Sequence, residues 1–210
     1  MIDGQKPPVI HVIDDDESVR RSLSRLLKSV DFTVKTYESA NAWIDRTDGS
    51  EPSCIILDMR MPGLDGASLH EYLLNQTGVP ISVVFLSGHG SIPMATHELK
   101  QGAVDFLTKP VDEKDLFAAI DAAILKYKEM ANEYHQVREA RQALDSLTPR
   151  EMEVLRYLIS GLRNKQIAAG LGIAEKTVKV HRGHIVEKLG ISSVVELANI
   201  CRIAGVTSLD

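Results

Sequence analysis

Two cysteines in 210 residues, Cys54 and Cys201, are too few for a disulfide framework and have no metal-binding spacing. Both lie in apolar stretches, so they read as buried free thiols of a reducing compartment. No apolar run approaches the roughly 18 residues of a membrane-spanning helix. Met1 is followed by polar residues rather than by the apolar centre of a signal peptide. The expected location is therefore cytoplasmic, with no membrane partner. A basic excess is lacking too: 24 Lys+Arg stand against 29 Asp+Glu, a formal net charge of −5. That excludes a uniformly basic nucleic-acid protein. Internal repeats and low-complexity segments are absent.

A hydrophobic fraction of 44% with 25% charged residues is that of a soluble globular chain. The charge is unevenly spread. Residues 1–125 carry 11 Lys+Arg against 19 Asp+Glu, whereas residues 146–210 carry 9 against 6. An acidic N-terminal part and a mildly basic C-terminal part imply two domains with different partners.

Along residues 1–125, short β-branched runs alternate with amphipathic helical stretches. The runs are Val9–Ile13, Phe32–Val34, Cys54–Leu57, Ile81–Leu86 and Val104–Leu107, with helices near 18–29, 39–46, 67–75, 92–100 and from 113 onward. Five strands each followed by a helix predict an α/β fold, a doubly wound (βα)5 domain on a parallel five-stranded sheet. Ligands of such sheets bind beyond the carboxyl ends of the strands.

Residues 113–145 contain no Gly or Pro and read as one long helix. Within 126–145 it forms a linker. A heptad frame places Ile120, Tyr127, Tyr134 and Arg141 in one row, and Ala123, Met130, Val137 and Leu144 in the other. Such rows suit a coiled-coil seam in a homodimer; alternatively, the early positions pack on the sheet and the rest is a solvated linker. Residues 146–210 are helical only, near 149–160, 164–170, 175–189 and 193–204. They predict an all-α four-helix domain with a helix-turn-helix at about 164–183. Thr148, Pro149 and Glu151 form a capping-box helix start.

The strand ends carry a specific set of polar residues. Asp14, Asp15 and Asp16 end the first strand and Asp58 the third; Ser87 ends the fourth, and Lys109-Pro110 follows the fifth. Carboxylates brought together without counter-charge repel, so a hard cation such as Mg²⁺ is their natural occupant. An in-line phosphoryl transfer needs a nucleophilic oxygen, a metal ion, and cationic or hydroxyl donors for the equatorial oxygens. Asp58, Asp15, Lys109 and Ser87 supply that set. His11 and His70 are isolated, and His89 lies beside the site as at most a tuner of phosphoryl lifetime.

The segments His11-Val-Ile-Asp-Asp-Asp-Glu, Leu57-Asp-Met-Arg-Met-Pro-Gly-Leu-Asp-Gly66, Leu86-Ser-Gly-His-Gly90 and Phe106-Leu-Thr-Lys-Pro110 resemble the receiver domain of two-component response regulators. The resemblance implies that Asp58 accepts a phosphoryl group from a sensor histidine kinase. It also implies that Asp14, Asp15, Asp58 and the backbone carbonyl of Arg60 hold Mg²⁺, for which Mn²⁺ substitutes. Ser87 and Lys109 would then bind the phosphoryl group, and Phe106 would turn inward as Ser87 moves. Asp16 falls outside this set and reads as a solvated helix-start residue.

On a helical wheel of the third C-terminal helix, Val178, Ile185 and Leu189 face the core. Lys176, Val180 and Gly183 point away from them, flanked by Thr177, Lys179 and His184. That outward half is small, polar and cationic, which suits a major groove. The segments Leu147-Thr-Pro-Arg-Glu-Met-Glu-Val-Leu, Asn164-Lys-Gln-Ile-Ala168 and Thr177-Val-Lys-Val-His-Arg182 resemble the LuxR-type helix-turn-helix of the NarL/FixJ family, most similar to its FixJ branch.

That resemblance implies that Lys179 and Val180 approach base edges while Thr177 and Lys165 hold phosphates. Gly183 stands where some relatives carry a base-reading Lys, and Arg182 is expected to pair internally or with the backbone. The implied protein is a phosphorylation-dependent transcription factor and an activator, not an enzyme. Its partners would be the kinase, double-stranded promoter DNA, RNA polymerase and a second copy of itself, on phosphorylation or through the linker helix. A phosphatase using Asp58 commonly needs a second Asp two residues on, where Arg60 stands. A ligand-gated LuxR-type binder needs an apolar N-terminal pocket, where the charged site stands.

Overall fold

The computed structural model describes residues 8–46, 53–76, 80–88 and 92–207. The chain divides into two compact units, residues 1–132 and 133–210. His89 lies outside the described residues.

The first unit alternates β1 (Val9–Ile13), α1 (Glu17–Lys28), β2 (Thr33–Tyr37), α2 (Ala40–Arg46), β3 (Cys54–Asp58), α3 (Gly66–Asn75), β4 (Val83–Ser87), α4 (Ile92–Lys100), β5 (Asp105–Thr108) and the start of α5 (Glu113–Asp145). Every strand pairing is parallel, in the order β2-β1-β3-β4-β5. This is the expected doubly wound sheet. Successive strand side chains point to opposite faces, and the two cores follow from that alternation. Ile10, Val12, Cys54, Ile56, Val84 and Leu86 pack with Leu23 and Leu27 of α1 and with Leu116 and Ile120 of α5. Ile13, Ile55, Leu57, Val83 and Phe85 pack with Trp43 of α2 and with Leu69 and Leu73 of α3. Because both faces are covered, β3 and β4 are buried throughout.

Several element ends differ from the sequence reading: β4 begins at Val83 rather than Ile81, β5 is shifted by one residue to Asp105–Thr108, and β2 and α3 differ as well. β2 continues to Tyr37, because Lys35, Thr36 and Tyr37 pair with His11, Val12 and Ile13; an edge strand tolerates polar residues that an apolar-run criterion rejects. α3 begins at Gly66, capped by Asp65, whose side chain accepts from Ser68 N at 2.9 Å.

α5 runs through Asp145 as predicted, but the heptad rows do not all remain available for a seam. Ile120 and Ala123 are fully buried in the first unit's core. Leu144 is buried in the second unit's core beside Ala140. A heptad frame and a 3.6-residue stripe are nearly indistinguishable over a few turns, so the frame also collected residues that pack within the chain. Tyr127, Met130, Tyr134 and Val137 are half-buried and Arg141 is exposed.

The second unit adds α6 (Pro149–Ile159), α7 (Asn164–Leu171), α8 (Glu175–Leu189) and α9 (Val194–Ala204). Leu144, Val154, Leu155, Ile167, Val178, Ile185, Leu197 and Cys201 form its core. The capping box is present, with Glu151 N donating to Thr148 Oγ1 and Thr148 N donating to Glu151 Oε2. Gly172 ends α7 at φ 64°, a left-handed conformation that glycine adopts without steric cost. Among the described residues no helix is long and apolar enough to cross a membrane.

Candidate functional sites

The strand order reverses between β1 and β3, which opens a crevice at their carboxyl ends. Asp14 follows β1, Asp58 and Ser87 end β3 and β4, and Lys109 follows β5. Asp14, Asp58 and Ser87 are only 1%, 6% and 1% exposed, whereas Asp15 is exposed. One oxygen each of Asp14, Asp15 and Asp58 lies within 4.8 Å of the others. Lys109 Nζ reaches across the crevice, donating to Asp14 Oδ2 at 2.6 Å and to Asp58 Oδ1 at 2.7 Å.

The backbone fixes these side chains. Arg20 Nη1 donates to the Asp14 carbonyl at 2.6 Å, and Asp16 N donates to Asp14 Oδ1 at 2.9 Å. Lys109 N donates to the Ser87 carbonyl at 2.8 Å. A Cβ at Gly66 would lie 2.3 Å from the Asp58 carbonyl oxygen. Only glycine lets α3 start this close to the carboxylate. Phe106 is half-buried with its ring centroid 6.0 Å from that of Phe85. Arg60 is exposed. Asp16 caps α1, accepting from Ser18 N at 2.7 Å, as a helix-start residue should.

The electrostatics of the crevice are unbalanced. Burial pushes the Asp58 carboxyl pKa up, the Lys109 hydrogen bond offsets this only in part, and the charges of Asp14 and Asp15 add to the rise. Burial works against the Lys109 ammonium, but its hydrogen bonds with Asp14 and Asp58 outweigh that and raise its pKa.

In the second unit, Val178 and Ile185 are buried and Leu189 is half-buried, while Lys176, Thr177, Lys179, Val180 and Gly183 are exposed. Lys165, in the first turn of α7, is exposed as well. Arg182 pairs internally, Nη1 donating to Asn164 Oδ1 at 2.7 Å. His184 is 54% exposed in its side chain, yet its Nδ1 lies 3.5 Å from Glu151 Oε1, at the border between the outward face and α6.

Residues 10–121 match the response regulator receiver domain, and residues 145–201 match the bacterial regulatory proteins of the luxR family. The transcriptional regulatory protein FixJ of Azorhizobium caulinodans is 38% identical over 201 residues, 96% of this chain and 95% of FixJ. This chain belongs to the NarL/FixJ family of response regulators. The response regulator protein TmoT of Ectopseudomonas mendocina is 40% identical over 192 residues, 91% of this chain and 87% of TmoT. The solved structure of the response regulator StyR matches with a TM-score of 0.79 at 41% identity, covering 94% of this chain and 99% of that one. This response regulator is thus a transcription regulator that joins a receiver to a LuxR-type helix-turn-helix.

Three arrangements escape a reading of the sequence. In the receiver, the buried His70 and Glu98 meet at 2.7 Å between α3 and α4. His11 accepts from Trp43 Nε1 at 2.9 Å. In the LuxR-type unit, Lys188 Nζ donates to Glu151 Oε2 at 2.7 Å. Each pairs residues at least 28 positions apart, which no local spacing signals.

Proposed function

We propose that Asp58 takes a phosphoryl group from the phosphohistidine of a sensor histidine kinase. The phosphorylated chain, as a homodimer, then binds double-stranded promoter DNA and activates transcription with RNA polymerase. Residues 1–125 act as the receiver, 126–145 as the helical linker, and 146–210 as the DNA reader, all in the cytoplasm. The observation that carries this reading is Lys109 Nζ, 2.7 Å from Asp58 and 2.6 Å from Asp14, with Asp15 completing the carboxylate cluster.

The donor set suits a hard divalent cation, since three clustered carboxylates face a single ammonium. Asp14, Asp15, Asp58 and the backbone carbonyl of Arg60 would hold Mg²⁺, or Mn²⁺ in its place. The ion would neutralise charge on the phosphoryl oxygens. An Asp58 carboxylate oxygen attacks phosphorus; the O–P bond forms as the P–N bond to the kinase imidazole breaks, and the electron pair returns to that ring nitrogen. Lys109 Nζ leaves Asp58 Oδ1 for a phosphoryl oxygen, and the Ser87 hydroxyl donates to another. Phe106 turns inward as Ser87 moves. No external substrate is turned over; the acyl phosphate is lost by slow self-hydrolysis.

Incubation with a small-molecule phosphodonor and Mg²⁺ should add one phosphate, detected by intact mass. Asp58→Asn should add none, and chelation by EDTA should stop the wild-type reaction. Labelling that survives either change would refute the assignment.

On DNA, Lys179 and Val180 read base edges, Thr177 and Lys165 hold phosphates, and His184 stands at the rim. Lys179→Ala should lose about 1–3 kcal/mol of discrimination between a selected site and a scrambled one. Lys165→Ala should weaken both alike and reduce the salt slope by roughly 1. Equal losses on both DNAs for Lys179→Ala would reduce that residue to a backbone contact.

A further inference from the structure

The LuxR-type unit contains a second cluster of metal-ligating side chains, chemically unlike the first. Glu151 of α6 and His181 and His184 of α8 each offer a donor atom within 4.8 Å of the others. The two oxygens of Glu151 are used unequally. Oε2 accepts from Thr148 N at 2.8 Å and from Lys188 Nζ at 2.7 Å. Oε1 instead faces His184 Nδ1 at 3.5 Å, too long for a good hydrogen bond. His181 Nδ1 is sealed from solvent and, among the described residues, has no hydrogen-bond partner. A buried polar nitrogen left unpaired is costly.

We propose that Glu151, His181 and His184, each through one donor atom, form a site for a borderline transition-metal ion, zinc above all, that ties α6 to α8. Two imidazoles and one carboxylate are a donor set for zinc rather than for magnesium. The two histidines stand three residues apart on α8, so they share one helix face. Three protein ligands leave a fourth position for water, and the exposed edge of His184 gives an ion its way in. The Glu151 carboxyl is held ionised, first by Lys188 and then by the Thr148 N–H, which bring its pKa down to about 2. Lys188 opposes a second cation, but it engages the other carboxylate oxygen. The ion would fasten the start of α6 to the middle of the helix that carries Lys179 and Val180.

The site is tested on the full-length chain by titration with Co²⁺ in the presence of excess Mg²⁺, which keeps the receiver carboxylates occupied. Cobalt with nitrogen ligands at low coordination number absorbs far more strongly in the visible than cobalt held by oxygens alone. The wild type should develop that absorption, saturate at one equivalent, and lose it on addition of Zn²⁺. His184→Gln, a substitution at an exposed side chain, should abolish the band while its circular dichroism matches that of the wild type. His135→Gln, at an exposed histidine of α5, should leave it unchanged. Lys188→Met should tighten binding by about tenfold through removal of the competing charge. No band in the wild type, a band that persists in His184→Gln, or no gain in Lys188→Met would each overturn the ligand set. None of these outcomes depends on phosphorylation of Asp58.

Discussion

Asp58 in the receiver and Glu151 in the LuxR-type unit are both nearly buried carboxylates, 6% and 3% exposed, and both bond to a lysine at 2.7 Å. Their acidities nevertheless move in opposite directions. Glu151 has Lys188 and the Thr148 N–H, and its pKa falls to about 2. Asp58 shares Lys109 with Asp14 and has Asp15 near, so burial wins and its pKa rises. The same residue chemistry keeps its charge in one unit and is pressed to lose it in the other. A carboxylate with an unmet demand for positive charge is suited to recruiting a cation and a phosphoryl group. One kept ionised by a lysine and a backbone N–H ties helices together and leaves its second oxygen open to an ion.

The sharpest way to break this contrast is to neutralise each carboxylate in turn. Asp58→Asn should lose all phosphate incorporation and leave the unfolding of the LuxR-type unit unchanged. Glu151→Gln should retain incorporation in full while destabilising its own unit by about 1–3 kcal/mol, the range for a lost charge-assisted hydrogen bond. Intact mass and denaturant melts of the two proteins report both effects. A Glu151→Gln chain that unfolds like the wild type would show that Lys188 contributes nothing there.

Smaller effects follow in the pH dependence. Glu151 has a folded pKa near 2 against an ordinary 4.5, so the native state binds fewer protons than the unfolded state between those values. The stability it contributes is complete above about pH 4.5 and is lost as pH falls toward 2. That acid-side loss should be shallower in Glu151→Gln. Asp58 has the reverse sign: its raised pKa means that stability declines as pH rises from the ordinary 3.8 through the folded value. At neutral pH without divalent ions, Asp58→Asn should therefore stabilise the receiver slightly, by under about 1 kcal/mol. Mg²⁺ should stabilise the wild-type receiver and do much less for the variant. A receiver melt insensitive to both changes would remove the basis of the comparison.

Most of the fold is legible in the sequence because it follows from periodicity. All five strands, the helices between them and the four C-terminal helices appear where alternation and helical stripes predict them. The misread ends have physical causes. Lys35 and Thr36 interrupt an apolar run without interrupting β2, and α3 starts one residue before the expected 67 because the missing Cβ of Gly66 lets it begin against Asp58. Asp14, Asp58, Ser87 and Lys109 are legible as a group because a parallel sheet carries every strand end to one edge. The bond from Lys109 to two carboxylates at once is not legible, nor is the pairing of Glu151 with Lys188. Both depend on which helices and loops meet in space. The half-buried stretch from Tyr127 to Val137 shows the same limit, since its stripe does not say which surface it meets.

The hydrogen bond from Arg182 to Asn164 bears on the speed of recognition. It ties the first residue of α7 to the middle of α8 at 2.7 Å, while Arg150 donates to the carbonyl of Leu171, at the other end of α7, at 2.8 Å. α7 is held at both ends, and α8 at its middle, before any DNA arrives. A reader set in advance spends no part of the encounter ordering itself, so it should associate with different operators at similar rates. Preference among operators would then be expressed in residence time, with a mismatched site released sooner rather than found more slowly.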